Sequence, residues 1–315
     1  MEFRLWDYKK DKCRLESFLS SAAIAHGYDK ENESWFNWKY RGCPDGECLL
    51  VCAIDGDIVA GCVAMRIGRI AINGQEKIYG ASYENFVNPK YQRRGIFVKL
   101  IKIAETICYN RGMEFLICFP NSNSLPGYKK AGWISQRVMK CRIKITSTLR
   151  VISNLSSLRK PFILRNIKNN VIELSDKEFD WTDKHRNMPI WDKEYLMWRF
   201  GDMYRCANCC IDSENFFAIA RVGNRGKLKE CQIITVMPYG IYSKQKAFSE
   251  FIEYVQCREK PDIITCCDIM SNESYMLYTG FFVVPTKVNF VYKILQEGSI
   301  NPSNIEMDAM FFHTY

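Results

Sequence analysis

Apolar residues recur along this chain in two rhythms. From Leu49 to Ile54 and from Ile58 to Ile67 they form strand-like runs joined by Asp55-Gly56-Asp57. A second pair, Arg66 to Ile72 and Glu76 to Val87, closes around Asn73-Gly74. Asp-Gly and Asn-Gly supply the positive φ angles of tight hairpin turns, so this region predicts a meander of antiparallel strands. On either side the rhythm changes to three- and four-residue spacing, the signature of a helical face. Between Lys12 and Ala25 the face is Leu15, Phe18, Leu19, Ala22 and Ala23. After Gly95 it is Ile96, Leu100, Ile103, Ala104 and Ile107, running to about Asn110 with Gly112 as C-terminal cap. Phe115 to Phe119 is a short unbroken apolar run, as expected of a buried central strand, and Pro120 ends it. Ser124 is placed to start a short helix over Leu125–Ala131, with Pro126 in the first turn, where proline is tolerated. Trp133 opens the next strand. The class is mixed α/β.

The segment between the meander and the second helix carries the candidate chemistry. Ser82 to Val87 reads as a strand, and Pro89 stops it because proline cannot donate to a ladder. Gln92, Arg93, Arg94, Gly95, Ile96 and Phe97 then form a turn into the helix. Main-chain amides at a helix start have no internal acceptor, two guanidinium groups lie among them, and Gly95 permits close approach of a ligand. Such a turn suits a pyrophosphate.

The second half repeats the first. Trp38-Lys39-Tyr40 has a counterpart in Trp198-Arg199-Phe200, and Phe216 to Ala220 with Glu230 to Met237 reads as a hairpin around Gly223–Gly226. Gly95-Ile96-Phe97 meets Gly240-Ile241-Tyr242, each glycine followed by a lysine at the fourth position and a glutamate at the tenth. Ile263 to Cys267 is another short strand. Asn272, Tyr278, Gly280 and Phe281 echo Asn121, Tyr128, Gly132 and Trp133 at closer spacing. Where the first copy has Gln92-Arg93-Arg94 the second has Met237-Pro238-Tyr239, so its turn has lost the phosphate chemistry. The expected layout is residues 1–145 with the ligand site, a connector over 146–175, and a degenerate second copy over 176–315.

The connector region is distinct in charge. Arg142, Lys144, Arg150, Arg159, Lys160, Arg165 and Lys168 occur with no acidic residue between 142 and 170. Val151, Leu155 and Leu158 give it a helical stripe. Two readings stand: a link packed between the halves, or a basic amphipathic helix on a membrane or nucleic-acid surface.

Composition narrows the class of function. The chain has 315 residues, 47% of them hydrophobic, enough for a large core, and a net charge of +9 that favours anionic partners. No nucleic-acid motif is present. No run reaches the roughly 18 apolar residues of a membrane span, and Met1-Glu2-Phe3-Arg4 lacks the form of a signal peptide, so the expected location is the cytoplasm. In that compartment the 15 cysteines read mainly as small buried hydrophobes. Cys206, Cys209 and Cys210, with Cys266-Cys267, lack a clean second pair for zinc, and no metal is expected. No Gly-x-Ser-x-Gly elbow or activated cysteine suggests a covalent nucleophile.

The turn at Gln92–Phe97, followed in order by Asn121, Tyr128, Gly132 and Trp133, resembles the GNAT acetyltransferase superfamily over roughly residues 45 to 135. Phe97 stands where that family usually has a small residue. The resemblance implies acetyl-coenzyme A as co-substrate, held at its phosphates by Gln92–Phe97, along its pantetheine arm by the main chain of Phe86 and Val87, and by Asn121. It implies Tyr128 as the acid that protonates the leaving thiolate. Glu84, on the strand before the turn, is the candidate base. Strand alternation groups it with Ser82 and Phe86, opposite Tyr83, Asn85 and Val87, and leaves open which face meets the cleft. The histidines, His26, His185 and His313, fall outside the motifs and carry no role, though His313 and Tyr315 at the chain end are placed to reach a cleft between halves. By resemblance the first helices wall the acceptor pocket, which would give Trp35, Trp38 and Tyr40 to the substrate; core packing is the competing reading. The expected reaction is acetyl transfer to a primary amine of a small molecule. Similarity in layout to long bacterial members suggests an amino sugar, including a nucleotide-linked one, for surface polysaccharide. The paired halves equally resemble aminoacyl-transferases that use charged tRNA to extend cell-wall peptides, and a non-catalytic acyl-coenzyme A sensor would keep the same fold.

Overall fold

The computed structural model describes residues 1–138, 140–165, 187–201, 209–268, 279–284, 289–305 and 307. Lys168, His185, Cys206, Asn272, Tyr278, His313 and Tyr315, named above, lie outside the described residues.

The first half runs β1 (Glu2–Leu5), α1 (Leu15–His26), α2 (Glu33–Arg41), β2 (Leu49–Asp55), β3 (Ile58–Ile72), β4 (Gln75–Val87), α3 (Ile96–Asn110), β5 (Phe115–Cys118), α4 (Leu125–Lys130) and β6 (Ile134–Val138). The two expected hairpins are present, but their shared arm is one continuous strand, β3, of 15 residues. β7 (Lys140–Ile145) ends the first half, and the second runs α5 (Thr148–Ser153), β8 (Phe162–Leu164), β9 (Met188–Pro189), α6 (Lys193–Phe200), β10 (Cys209–Asp212), β11 (Phe216–Arg225), β12 (Leu228–Pro238), α7 (Lys244–Glu259), β13 (Ile263–Asp268), β14 (Phe282–Val284) and β15 (Asn289–Ile294).

Two mixed sheets result. The first has the order β1-β2-β3-β4-β5-β15-β6, with β9 beside β3; the second has β10-β11-β12-β13-β7-β14, with β8 beside β11. All pairings are antiparallel except β4 with β5 and β12 with β13. Those two parallel pairs, each preceded by a hairpin and crossed over by one helix (α3 or α7), are the repeat seen in the sequence.

The halves exchange a strand. β15, from the end of the described chain, lies between β5 and β6 in the first sheet. β7 leaves the first half and lies between β13 and β14 in the second. A cut at residue 145 therefore does not separate the sheets: β7 lies before it yet belongs to the second, and β15 belongs to the first. Each half completes its sheet with the other's hydrogen-bonding edge.

A continuous apolar core seals the exchange. Tyr79, Phe115, Trp191, Tyr195, Phe217, Phe290 and Tyr292 pack together from both halves. At the centre of this junction the repeated Trp-basic-aromatic motifs meet reciprocally. Trp38 Nε1 donates to the Trp198 carbonyl and Trp198 Nε1 to the Trp38 carbonyl, both at 2.9 Å. Such mutual contact is what a local two-fold relation between two copies produces.

The described part of the basic connector, residues 146–165, is anchored rather than free. Val151 packs against Ile143, Leu228 and Ile263, and β8 adds to the edge of β11. The expected stripe does not hold together, because α5 ends at Ser153; Leu155 is 58% exposed while Val151 is buried.

Ending the chain at residue 288 removes β15 from the interior of the first sheet, leaving β5 paired on one side only and β6 cut off from the rest of the sheet. The expected outcome is loss of cooperative thermal unfolding and of the monodisperse peak in size-exclusion chromatography. A folded truncated protein that still binds coenzyme A would contradict the exchange.

Candidate active site

The site begins with a fault in β4. Cys62 pairs with Phe86 and Ala64 with Tyr83, so Glu84 and Asn85 together oppose the single residue Val63. Two residues facing one is a β-bulge, which bends and twists a strand. Glu84 takes the left-handed conformation, φ 49°, which is uncommon for a residue with a side chain. The bulge breaks the alternation expected from the sequence. Asn85 turns to the same side as Ser82, donating from Nδ2 to Ser82 Oγ at 2.9 Å. Its Oδ1 accepts the Ala64 amide at 2.9 Å, which replaces a main-chain ladder bond and fixes the orientation of the amide group.

Pairing between β4 and β5 stops at Ser82 and Cys118, just before the bulge. Beyond it the strands part, and a cleft of about 840 Å³ opens between them. Its walls include Ser82, Glu84, Asn85, Phe86 and Val87 from β4, Gln92, Arg93 and Gly95–Val98 from the turn, Cys118–Asn121 after β5, and Trp198 and Arg199 from α6.

The turn is arranged for an anion. Arg93 and Gly95 both have positive φ, 61° and 74°, a reversal that turns the chain sharply into α3. Among the described residues, the amides of Arg93 through Val98 have no protein acceptor, whereas Lys99 N–H returns to the Gly95 carbonyl at 3.1 Å. Gln92 closes the base of the turn, its Nε2 donating to the Val87 carbonyl at 3.1 Å. Arg93 lines the cleft. Arg94 does not: it lies over Tyr91 and donates to the Lys90 carbonyl at 3.1 Å, so of the two expected phosphate-binding guanidiniums only one faces the site. The corresponding turn in the second half is closed. There Ser243 caps α7 with its own oxygen, accepting the Lys246 amide, so that helix start already has an internal partner.

Phe97 is accommodated by Gly127. A methyl group at Gly127 would come within 2.4 Å of the Phe97 ring. The ring fills that space and meets Tyr128 edge-on at 5.4 Å. Asn121 borders the cleft, and its Oδ1 accepts the amides of Asn123 and Ser124, both at 3.0 Å. It thus organises the entry to α4, a task the sequence assigned to Ser124, whose side chain makes no cap.

Tyr128 is fully buried under Trp133, 4.7 Å ring to ring. Its hydroxyl accepts from Asn85 Nδ2 at 2.7 Å and shares a hydrogen bond with Ser82 Oγ at 2.8 Å. Burial holds this phenol well above its usual range, so it stays protonated. Tyr128 does not itself line the cleft; its partners Ser82, Asn85 and Cys118 do.

Glu84 lies at the opposite wall. Lys39 Nζ donates to its Oε1 at 2.8 Å, and His26 Nε2 stands 3.8 Å from its Oε2. Lys39 is backed by the Trp35 ring at 4.9 Å. His26 stacks on Tyr28 at 5.2 Å. Burial lowers the His26 pKa from its ordinary 6.5, against the opposing pull of Glu84, so the imidazole is neutral near pH 7. Sequence reasoning passed over His26 because it precedes every motif; only the folding of α1 against the bulge brings it here.

Of the aromatic residues expected to wall the acceptor pocket, Trp38 lines the cleft. Trp35 and Tyr40 do not; both are buried with Phe18 and Phe36 between the first two helices and the sheet. Among the described residues no group of three or more His, Cys, Asp or Glu side chains could hold a metal ion. Cys209 and Cys210 are pushed up to about 11 and about 12 by burial.

Residues 12–135 match the family model described as "Acetyltransferase (GNAT) domain". They form a GNAT acetyltransferase domain. Domains of this family use acetyl-coenzyme A as co-substrate. The whole GNAT-like chain has solved structural relatives. A GCN5-related N-acetyltransferase from Anabaena variabilis matches with TM-score 0.63 at 12% identity, covering 94% of this chain and 73% of that one. Eis1 from Mycobacterium abscessus gives 0.60 at 11%, covering 94% and 74%. A protein of Enterococcus faecalis described as a probable N-acyltransferase gives 0.59 at 11%, covering 94% and 72%. At such identities the likeness is one of fold: two mixed α/β lobes of GNAT type. No match was found among curated proteins. No helix among the described residues is long and apolar enough to cross a membrane.

Asn85→Ala removes the acceptor of a buried amide and one partner of a buried phenol. Each group left unsatisfied costs roughly 1–3 kcal/mol. The expected result is a melting temperature several degrees lower by calorimetry, with Asn85→Asp, which keeps the acceptor, falling between.

Proposed function

We propose that the protein transfers an acetyl group from acetyl-coenzyme A to a primary amine of a small molecule. The observation that carries this reading is the turn with six consecutive amides, Arg93 to Val98, that have no acceptor among the described residues and border the cleft. A diphosphate satisfies such amides and gains from the guanidinium of Arg93. Phe86 and Val87, where β4 parts from β5, offer main-chain groups to the pantetheine arm. Gln92, Gly95, Ile96, Phe97 and Asn121 shape the same channel.

The attacking amine forms a C–N bond as the C–S bond breaks, so one proton leaves the nitrogen and one reaches the sulfur. Ser82 presents its hydroxyl to the cleft and is bonded to Tyr128, whose proton is retained by burial. We assign the acid role to this pair rather than to Tyr128 in isolation. Glu84 attracts the amine, and His26, neutral beside it, accepts the proton. An amino sugar, including a nucleotide-linked one, suits the cleft's size and the aromatic walls Trp38 and Trp198.

A thiol-release assay with acetyl-coenzyme A and pooled primary amines tests the assignment. Calorimetry alongside it separates binding from turnover; binding without turnover would favour the sensor, and tRNA binding without coenzyme A binding the aminoacyl-transferase.

Tyr128→Phe is expected to lower kcat at least tenfold while changing coenzyme A affinity little; unchanged turnover rejects the acid role. His26 protonates as pH falls through its lowered pKa, so kcat/KM should fall on the acid side, below pH 6.5. His26→Asn should flatten that limb.

A further inference from the structure

Charge along the cleft is one-sided. Among the described residues its lining includes the cations Lys39, Arg66, Arg93, Lys130 and Arg199 and a single carboxylate, Glu84. Arg93 belongs to the turn before α3, and Lys130 ends α4. The other three come from α2, β3 and α6, and all are at least nine-tenths buried. Lys39 is matched by Glu84 at 2.8 Å.

Arg66 is not matched. Among the described residues no carboxylate lies within 4.0 Å of its guanidinium, whose hydrogen-bond partner is the neutral hydroxyl of Tyr195 and whose plane lies 5.6 Å from that ring. The buried carboxylate of Asp45 acts on Arg66 only at longer range and is ion-paired with Arg69 at 2.6 Å. Arg199 lies over the Trp198 ring at 6.0 Å, held at the junction by the reciprocal tryptophan bonds. Buried charges are normally paired, because a lone ion loses its hydration without return. A buried guanidinium on the wall of an open cleft, hydrogen-bonded to a phenol and with no carboxylate within 4.0 Å among the described residues, is a group to which a ligand can bring the close counter-charge. Guanidinium forks match the oxygen geometry of carboxylate and phosphate.

We infer that the acceptor is an amine bearing an anionic group, carboxylate or phosphate, which Arg66 and Arg199 receive while its nitrogen lies toward Glu84 and His26. This rests on the acetyltransferase reading. It makes Arg66, from the first lobe, and Arg199, from the second, determinants of specificity, and gives the degenerate half a part in choosing the substrate. A neutral or polycationic amine would leave the guanidinium buried and unpaired and would be selected against.

The test uses matched pairs differing in one charge: phosphoethanolamine with ethanolamine, and β-alanine with β-alaninamide. The full-length protein is assayed for thiol release from acetyl-coenzyme A, with coenzyme A binding followed by calorimetry. At least tenfold higher kcat/KM for an anionic member is expected, the two arms distinguishing phosphate from carboxylate. Arg199→Gln and Arg66→Gln should each raise KM for the preferred anionic amine tenfold or more and narrow its advantage, with KM for acetyl-coenzyme A within twofold of wild type. Arg199→Lys, which keeps the charge, should recover part of the loss and guards against misfolding of the glutamine variants. Equal use of neutral and anionic members, no use of either, or a preference that survives both glutamine substitutions overturns the inference. If coenzyme A binds and any of the pooled amines is still acetylated in those cases, the acetyltransferase reading stands; if coenzyme A does not bind, or binds with no turnover on any amine, that reading falls first.

Discussion

Glu84 holds a left-handed backbone inside a strand of 13 residues, and the neighbouring amide side chain of Asn85 does the work of a main-chain acceptor for Ala64. A non-glycine residue in that conformation costs on the order of 1–3 kcal/mol, offset here by the Asn85 bonds and by the Glu84–Lys39 ion pair. The return on that strain is geometric. Had β4 continued flat, it would have paired with β5 to its end, and no cleft would exist between them. The bulge also rotates Glu84 toward α1 and α2 while Ser82 and Asn85 face Tyr128. The two walls of the cleft thereby receive different groups, a carboxylate and an imidazole on one side and hydroxyls with an amide on the other.

The exchange of β7 and β15 supplies the rigidity this opening requires. A sheet split along its middle is weak unless its far strands are fixed elsewhere. β15 sits on β5, on the side away from the split, and is continuous with the second half. Movement of β5 relative to β4 is thus opposed by the interlobe core around Phe115 and Phe290. The same junction places α6 at the cleft. The second half has Met237-Pro238-Tyr239 where the first has Gln92-Arg93-Arg94, yet its Trp198 and Arg199 line the cleft of the first.

Much of the fold is legible in the sequence because its signals are local. Asp55-Gly56 and Asn73-Gly74 specify turns through the φ angles glycine permits. The run Phe115–Cys118 specifies burial through its lack of polar atoms. The Gln92–Phe97 turn is visible because the start of a helix always leaves amides open. The repeat is legible as well, since Trp38 and Trp198 are fixed by the same junction. Strand partners are another matter: β15 has the pattern of any buried strand, and nothing within Asn289–Ile294 says which sheet it completes. Nor does the pattern mark the bulge, since the residue with positive φ is a glutamate rather than a glycine. Once alternation fails at Glu84, every side-chain direction inferred beyond it fails too, which is why Asn85 was assigned away from Ser82. Trp35 and Tyr40 illustrate the limit for aromatic residues. Spacing places Trp35 and Trp38 near one another on a helix, but only packing against α1 decides which is core and which is wall.

Arg66 carries the argument from fold to specificity. On β3 its position is fixed by pairing with Ala81, on the intact side of the bulge, so it cannot retreat to solvent as a loop arginine would. The exchanged core closes over it with Tyr195, which provides a hydrogen bond but no charge. The same constraints that open the cleft therefore leave a cation sealed at its inner wall, close to the seam where the two copies meet. A lobe that evolved only to buttress its partner would have had little reason to place Arg199 along that seam as well. Two guanidiniums, one from each copy and facing a shared cavity, are a recognition device that neither copy holds alone, and they tie the retention of the second half to the choice of acceptor rather than to stability by itself.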